Sequence, residues 1–286
     1  MPVRKPAWDR LTPEHAGQAH PVAAAGELAR LLDLPHVAWY RELASTMDVA
    51  HALAEQGAPS GTLVLADAQT RGRGRGGKAW ASPLGVGLWL TLVERPLDPS
   101  ALDVLSLRVG LRAARVLDRF AYAPVAIKWP NDLMLPSGKV GGILVEVRWR
   151  ALRPEWIAVG VGINLKQPSV AGAASLDRGE IDAEPSSGFP SSGSEAVSGD
   201  RETPDRQVVL AELVPALRAA AAGHGALTPT ELEEFAKRDW ARGRTVVTPH
   251  RGTVAGISPA GALLIETSHG TVSCASGSLI LDGESS

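Results

Sequence analysis

Apolar residues along this chain change their spacing from one stretch to the next. Met47, Ala50, Leu53 and Ala54 fall on one helical face, and Ser45 or Thr46, with Asp48 in the first turn, predicts the N-cap. Val37–Glu42 before this helix and Gly61–Gln69 after it read as strands, with Gly57 and Pro59 as the stop between. Val86–Val93 is apolar on both faces, which predicts a strand in the interior of a sheet. Leu102, Leu105, Val109, Ala113, Val116, Leu117 and Phe120 repeat at helical spacing, the signature of a long amphipathic helix on that sheet. Val125–Ile127 and Leu133–Leu135 predict short strands, and Lys139–Arg150 and Glu155–Leu165 two longer ones joined at Arg153-Pro154. Helices follow at Gln207–Ala222, interrupted by Pro215, and after Thr228, Pro229 and Glu231. A short helix near Ala23–Leu32 precedes the first strand. Beyond Gly243, strands at Thr245–Thr248, Gly252–Ile257, Ala262–Glu266, Thr271–Cys274 and Leu279–Leu281 alternate with turns.

This order lacks the regular alternation of a doubly wound fold. It predicts an α+β architecture, a mixed β-sheet with helices packed on one face, plus a small C-terminal β-barrel or sandwich. The corresponding division is an N-terminal extension over 1–36, a large domain over 37–242 and a small one over 243–286. Residues from about Ala183 to Asp205 carry Pro, Ser, Gly and acidic side chains with almost no aliphatics, which predicts a flexible insertion in the large domain.

Composition narrows the function classes. Over 286 residues the net charge is -2, so no global basic field favours nucleic acid. Cys274 stands alone, which excludes an intramolecular disulfide and a multi-cysteine zinc site, and the seven histidines form no His-x-x-x-His pair. No secretory h-region and no apolar run of about twenty residues occur, so a cytoplasmic location without a membrane span is expected.

Against this background one stretch stands out. From Arg71 to Lys78 every residue is a cation or a glycine. Glycine lets backbone N–H groups approach an anion, and arginine supplies charge in a forked geometry. Gly72, Gly74 and Gly77 satisfy G-x-G-x-x-G, but a strand follows where a dinucleotide site needs a helix. Gly72–Lys78 also approximates a P-loop, but Ala79 stands where the Mg²⁺-binding hydroxyl belongs. An anion-binding loop of another kind is left. Lys128-Trp-Pro-Asn-Asp132 places a cation and a carboxylate around a stiff Trp-Pro pair. Asp132 suits Mg²⁺, and Lys128 suits charge developing on a phosphoryl or carboxyl group. Gly141 and Gly142 allow close approach of a ligand to a strand, and Gly160 and Gly162 open a flat slot on one strand face before Asn164. Taken singly, each glycine pair is better explained by a bulge or by packing, and Ser45-Thr46 by a cap.

Together, and in order, these segments resemble biotin protein ligase: Ser45-Thr46, Gln69, Gly72-Arg-Gly-Arg75, Trp80-x-Ser-Pro83, Lys128-Trp-Pro-Asn-Asp132, Lys139-x-Gly-Gly-Ile-Leu-Val-Glu146 and Gly160-x-Gly-Ile-Asn164. The likeness spans roughly Trp39–Leu165, and the C-terminal strands resemble that family's SH3-like domain. It implies a class II aminoacyl-tRNA-synthetase-like fold and a two-step reaction with biotin, ATP and Mg²⁺. Biotin is activated as biotinyl-5′-AMP and passed to a lysine of a biotin carboxyl carrier domain, of acetyl-CoA or acyl-CoA carboxylase or of pyruvate carboxylase.

By the same resemblance, Ser45, Thr46 and Gln69 line the biotin ring end, and Arg73, Gly74 and Arg75 reach its side chain and carboxylate. Lys139 and Gly142 complete the biotin side. Arg75, Lys78, Trp80, Asn131, Gly160 and Asn164 face the adenylate. Lys128, Arg73 and Asp132 carry the chemistry, Asp132 also as a Mg²⁺ ligand. Lys78 replaces a frequent arginine, and Met47 a frequent polar residue. The stretch before Val37 is too short for a winged-helix domain, which weighs against a biotin-responsive DNA-binding regulator. A lipoate ligase or octanoyltransferase of the same superfamily is the alternative substrate reading, and a homodimer is compatible with the resemblance.

Overall fold

The computed structural model describes residues 17–95, 98–177 and 203–284. Two sheets organise it. The first has eight strands: β1 (Gln18–Ala19), β2 (His36–Leu43), β3 (Thr62–Gln69), β4 (Gly87–Glu94), β5 (Ala126–Lys128), β6 (Asp132–Leu135), β7 (Gly138–Arg150) and β8 (Arg153–Asn164). Their spatial order is β1-β2-β3-β4-β8-β7-β6-β5, with only β2 and β3 parallel. The fully apolar strand β4 lies in the interior and is buried along its whole length, as its continuous pattern predicts.

The helices are α1 (Val22–Leu31), α2 (Thr46–Glu55), α3 (Leu105–Leu117), α4 (Arg206–Ala221) and α5 (Pro229–Arg238). They do not all share one face of the sheet. On β3, Leu63 and Leu65 join the main core with α3 and α4, whereas Val64 and Ala66 join a second cluster with Val49, Ala50 and Leu53 of α2. Side chains alternate across a strand, so α2 covers the face opposite α3 and α4. The expectation of helices on one face is corrected accordingly. α2 is also the crossover between parallel β2 and β3, which brings the start of α2 beside the end of β3, with Leu43 in register with Gln69.

Several local expectations change. β7 and β8 are joined at Ala151-Leu152, both with positive φ (46° and 65°), while Arg153 and Pro154 already belong to β8. This is a two-residue type I′ hairpin made without glycine or asparagine, hence invisible to turn chemistry. α4 runs continuously through Pro215. Most of the expected insertion, 183–202, lies outside the described residues; its last residue, Asp205, caps α4 by accepting from Gln207 and Val208 N–H. Thr228 and Glu231 form a reciprocal capping box on α5, with Pro229 in its first turn. β1, too short to show in the pattern, pairs with the edge of β2.

The second sheet holds β9 (Thr245–Thr248), β10 (Gly252–Ile257), β11 (Leu263–Thr267), β12 (Gly270–Cys274) and β13 (Ile280–Leu281). It is antiparallel in the order β12-β11-β10-β9-β13. Its end strands do not pair, so the expected barrel is not closed. Val254, Leu263, Ile265 and Leu281 extend the main core into this sheet. The Trp129 indole N–H donates to Gly261 O at 2.9 Å across the junction.

Candidate active site

The β2–α2 and β3 ends, the glycine-rich loop and the middle of β7 and β8 surround a narrow pocket with a cavity volume of about 60 Å³. Its deep end is polar. Thr46 donates to Gln69 Oε1 through both its backbone N–H (2.8 Å) and its hydroxyl (3.1 Å), and Thr91 Oγ1 donates to Thr46 Oγ1 at 2.9 Å. Gln69 in turn donates to Ser82 Oγ at 2.7 Å. The expected side-chain cap on α2 is therefore absent: Ser45 is the N-cap residue by backbone, but its hydroxyl makes no capping bond. Ser45 Oγ is buried without a hydrogen-bond partner, as is Trp80 Nε1, and both residues line the pocket. Buried polar atoms are nearly always paired, so two orphans lining one cavity point to a ligand with polar groups there.

The sides are apolar: Met47, Leu90, Ile143, Leu144 and Val161. Trp80 closes one side. Its ring lies against Gly142 and Gly162, edge-on to Trp89 with centroids 6.5 Å apart, and beneath the Lys139 ammonium at 5.0 Å. The loop that carries it is a tight hairpin. Gly74 N–H donates to Lys78 O at 2.7 Å and Trp80 N–H to Gly72 O at 2.9 Å. The bend at Gly76 and Gly77 uses φ of 65° and 77°, the region glycine adopts without penalty.

Cations stand at the mouth, each already answered by an acceptor. Arg73 donates to Asp48 Oδ1 at 2.7 Å and to Glu146 Oε1. Arg75 donates to Gly277 O, in the loop between β12 and β13, at 2.6 Å. Lys139 pairs with Asp132 at 2.7 Å, and Lys128 with Glu284 at 2.6 Å. Lys128, Lys78 and Asp132 do not line the deep pocket. They line a neighbouring hollow between the two sheets, which shares Gly74, Arg75, Trp80, Asn131 and Lys139 with it. The Trp129–Pro130 peptide beside Lys128 is cis.

Of the residues singled out by sequence, Ser45, Thr46, Gln69, Arg73, Gly74, Arg75, Trp80, Asn131, Lys139, Gly142 and Gly160 meet around the deep pocket. Asn131 Nδ2 is committed to Ile143 O at 2.8 Å. Asn164 donates to Ala174 O at 2.9 Å and faces a further hollow with Trp80, Lys139 and Gly172. Sequence reasoning passed over Thr91, Asp48, Glu146 and Ser82 as site residues, and set Met47 aside although it lines the wall. Only the spacing of Gly160 and Gly162 hinted at the slot. Among the described residues no group of three or more His, Cys, Asp or Glu could hold a metal ion. Asp132 thus fits Mg²⁺ only where phosphate oxygens complete the shell.

Upstream of Gln69, Asp67 accepts from Trp39 Nε1 at 2.9 Å and from Arg206, with His20 Nε2 at 2.7 Å. Burial pushes its pKa up, but these hydrogen bonds outweigh burial and hold it below the usual carboxylate value.

Residues 39–164, the segment that builds this pocket, match the family described as biotin/lipoate A/B protein ligase. The chain is 38% identical over 133 residues to the bifunctional ligase/repressor BirA of Bacillus subtilis, covering 46% of this chain and 41% of that protein. It is 42% identical over 114 residues to the biotin--[acetyl-CoA-carboxylase] ligase of Paracoccus denitrificans, covering 38% and 47%. The chain thus matches less than half the length of these curated relatives. The structure of the Aquifex aeolicus biotin protein ligase in complex with biotin and ATP superposes with a TM-score of 0.64 at 26% identity. That likeness covers 87% of this chain and 99% of the other, so it reaches into the second sheet. The shared fold therefore extends well beyond the matched sequence. No helix among the described residues is long and apolar enough to cross a membrane.

Proposed function

We propose that this chain activates biotin with ATP as biotinyl-5′-AMP and transfers it to a lysine of a biotin carboxyl carrier domain, such as that of acetyl-CoA carboxylase. The observation that carries the reading is the pocket's division into a hydrogen-bonding floor, apolar sides and a cationic mouth. Biotin has a polar ureido ring, an aliphatic chain and a carboxylate in that order. A lipoyl or octanoyl group would leave the unpartnered Ser45 Oγ and Trp80 Nε1 facing apolar atoms, and unpaired polar groups in a site reject such ligands strongly.

In the first step a biotin carboxylate oxygen attacks the α-phosphorus of ATP and pyrophosphate leaves. Two anions must meet, so cations have to offset their repulsion. Arg73 and Arg75 stand on the pocket side for the carboxylate, Lys128 and Lys78 on the hollow side for the phosphates, and Lys139 between. For Lys128 to reach a phosphate it must exchange Glu284 for it. Asp132 with ATP oxygens would hold Mg²⁺, which supplies further charge neutralisation when bound. In the second step the acceptor's lysine amine attacks the acyl carbon, the C–O bond to phosphate breaks, and AMP leaves as the amide forms. Trp80 and the hairpin beneath it keep water from this anhydride.

The test is biotin-dependent ATP–pyrophosphate exchange. Exchange with lipoate or octanoate and none with biotin overturns the substrate. Lys128→Ala is expected to lower exchange by at least about 10²-fold, the scale of removing a preorganised charge from a reaction site, with the fold retained. Wild-type exchange in that variant would remove Lys128 from the mechanism.

A further inference from the structure

Arg73 reaches the pocket mouth from a loop and is half-exposed, so something has to fix its guanidinium. On one side Asp48 of α2 accepts from it, and on the other Glu146 of β7. The second oxygen of Glu146 lies 2.9 Å from His51 Nε2, and His51 Nδ1 lies 2.9 Å from Trp156 Nε1. An indole nitrogen can only donate. Nδ1 of His51 is therefore the acceptor, and the proton of the neutral imidazole sits on Nε2, aimed at Glu146. Trp156 thus donates to His51, and His51 and Arg73 both donate to Glu146, one to each carboxylate oxygen. None of this serves α2 as a helix, because His51 reaches outward to two neighbouring strands. Arg95 and Arg148 lie over the Trp156 ring at 5.7 and 5.9 Å and hold it in turn. Behind His51 a groove lined by Asp48, Ala52, Glu146 and Trp156 opens to solvent.

We propose that His51 is a positioning residue for the reaction: locked as the Nε2–H tautomer by Trp156, it orients Glu146 and so sets Arg73 toward the substrate carboxylate. The inference rests on the biotin reading above for its substrate, but the tautomer does not. Supporting groups that fix a ligand-binding side chain act on affinity more than on the chemical step when the bound geometry can still be reached.

Two measurements test it. Nitrogen-15 spectra of the histidine rings are expected to show His51 Nδ1 unprotonated and Nε2 protonated in the ligand-free protein, and to lose that preference in Trp156→Phe. A protonated Nδ1 in the wild type overturns the proposal whatever the substrate is. In pyrophosphate exchange, His51→Ala is expected to raise the KM for biotin about fivefold, the scale of one partly exposed charge-assisted contact, while kcat and the KM for ATP stay within about twofold. Added imidazole, entering by the groove, or the variant His51→Gln, which keeps a donor near Glu146, is expected to restore the biotin KM. A role confined to folding would lower the melting temperature and show no such rescue. An unchanged or lower biotin KM in folded His51→Ala, or failure of both rescues, overturns the proposal. Absence of exchange in the wild type would count against the biotin reading alone, leaving the nitrogen spectra to decide the tautomer.

Discussion

Trp80 closes the pocket only because β7 and β8 offer it glycines. The sharpest perturbation is Gly162→Ala. Its backbone is not in the left-handed region, so the chain accepts alanine and the effect is steric. A Cβ there would lie 2.6 Å from Trp80 Nε1 and 2.8 Å from Trp80 Cε2. Ordinary carbon contacts are about 3.5–4.0 Å, so the ring must withdraw by about 1 Å. β8 is an interior strand and cannot give way, whereas the hairpin carrying Trp80 is at the surface. Over-packing typically costs about 1–3 kcal/mol, and the lower half of that range applies where one partner can move. About 1.4 kcal/mol is tenfold in affinity. Because withdrawal of the ring removes one wall of the pocket, titration calorimetry should find biotin bound about tenfold more weakly, and because the contact is made without ligand the melting temperature of the ligand-free protein should fall by about 3–6 °C. On a Trp80→Ala background the same glycine change should add nothing, since its target is gone. Undiminished affinity in Gly162→Ala, or a further tenfold loss on the Trp80→Ala background, would refute the reasoning.

Three other outcomes follow from contacts around the site. Glu284→Gln removes the carboxylate that holds Lys128; with both groups partly buried the pair is worth about 1 kcal/mol, so the KM for ATP should fall about fivefold, measured in the exchange assay. Arg75→Gly breaks the bond to Gly277 O, and labelling of bystander lysines should show the activated adenylate escaping at least about threefold faster. Burial pushes the Asp239 carboxyl up to about 6, with Oδ2 unpartnered. The native state then holds its proton to higher pH than the unfolded chain, so stability falls as pH rises between the two pKa values and stays lower above them. Asp239→Asn should therefore stabilise the protein by up to about 3 kcal/mol near pH 7.5 and by nothing below about pH 4, read from denaturant unfolding at both.

Periodicity made most of the secondary structure legible. The buried run of β4, the α2 stripe and the α3 repeat all state their surroundings directly. What stayed hidden was pairing. Nothing in the pattern of α2 says which sheet face it covers, because that depends on the crossover between β2 and β3. The Ala151-Leu152 turn was hidden because its φ values are imposed by the two long strands it joins, against the preference of either residue. For the site, the sequence exposes cations and glycines well, since no fold requires them at such density. It does not expose their partners. Asp48 and Glu146 look like ordinary surface carboxylates until α2 and β7 bring them to Arg73, and Thr91 looks like one more residue of a buried strand until it meets Thr46.

Two of the bonds that join the second sheet to the site region, from Arg75 to Gly277 and from Trp129 to Gly261, end on main-chain carbonyls. A carbonyl oxygen is supplied by every amino acid. For these two bonds the specification is written on the large domain, in one arginine and one tryptophan, while the small domain adds Glu284 against Lys128 and its buried apolar residues. Away from Gly261 and Gly277, whose φ of 79° and 136° disfavours other residues, substitutions leave both bonds in place. Such drift would produce the contrast seen here, where recognisable sequence ends near residue 164 while the shared shape continues across 87% of the chain.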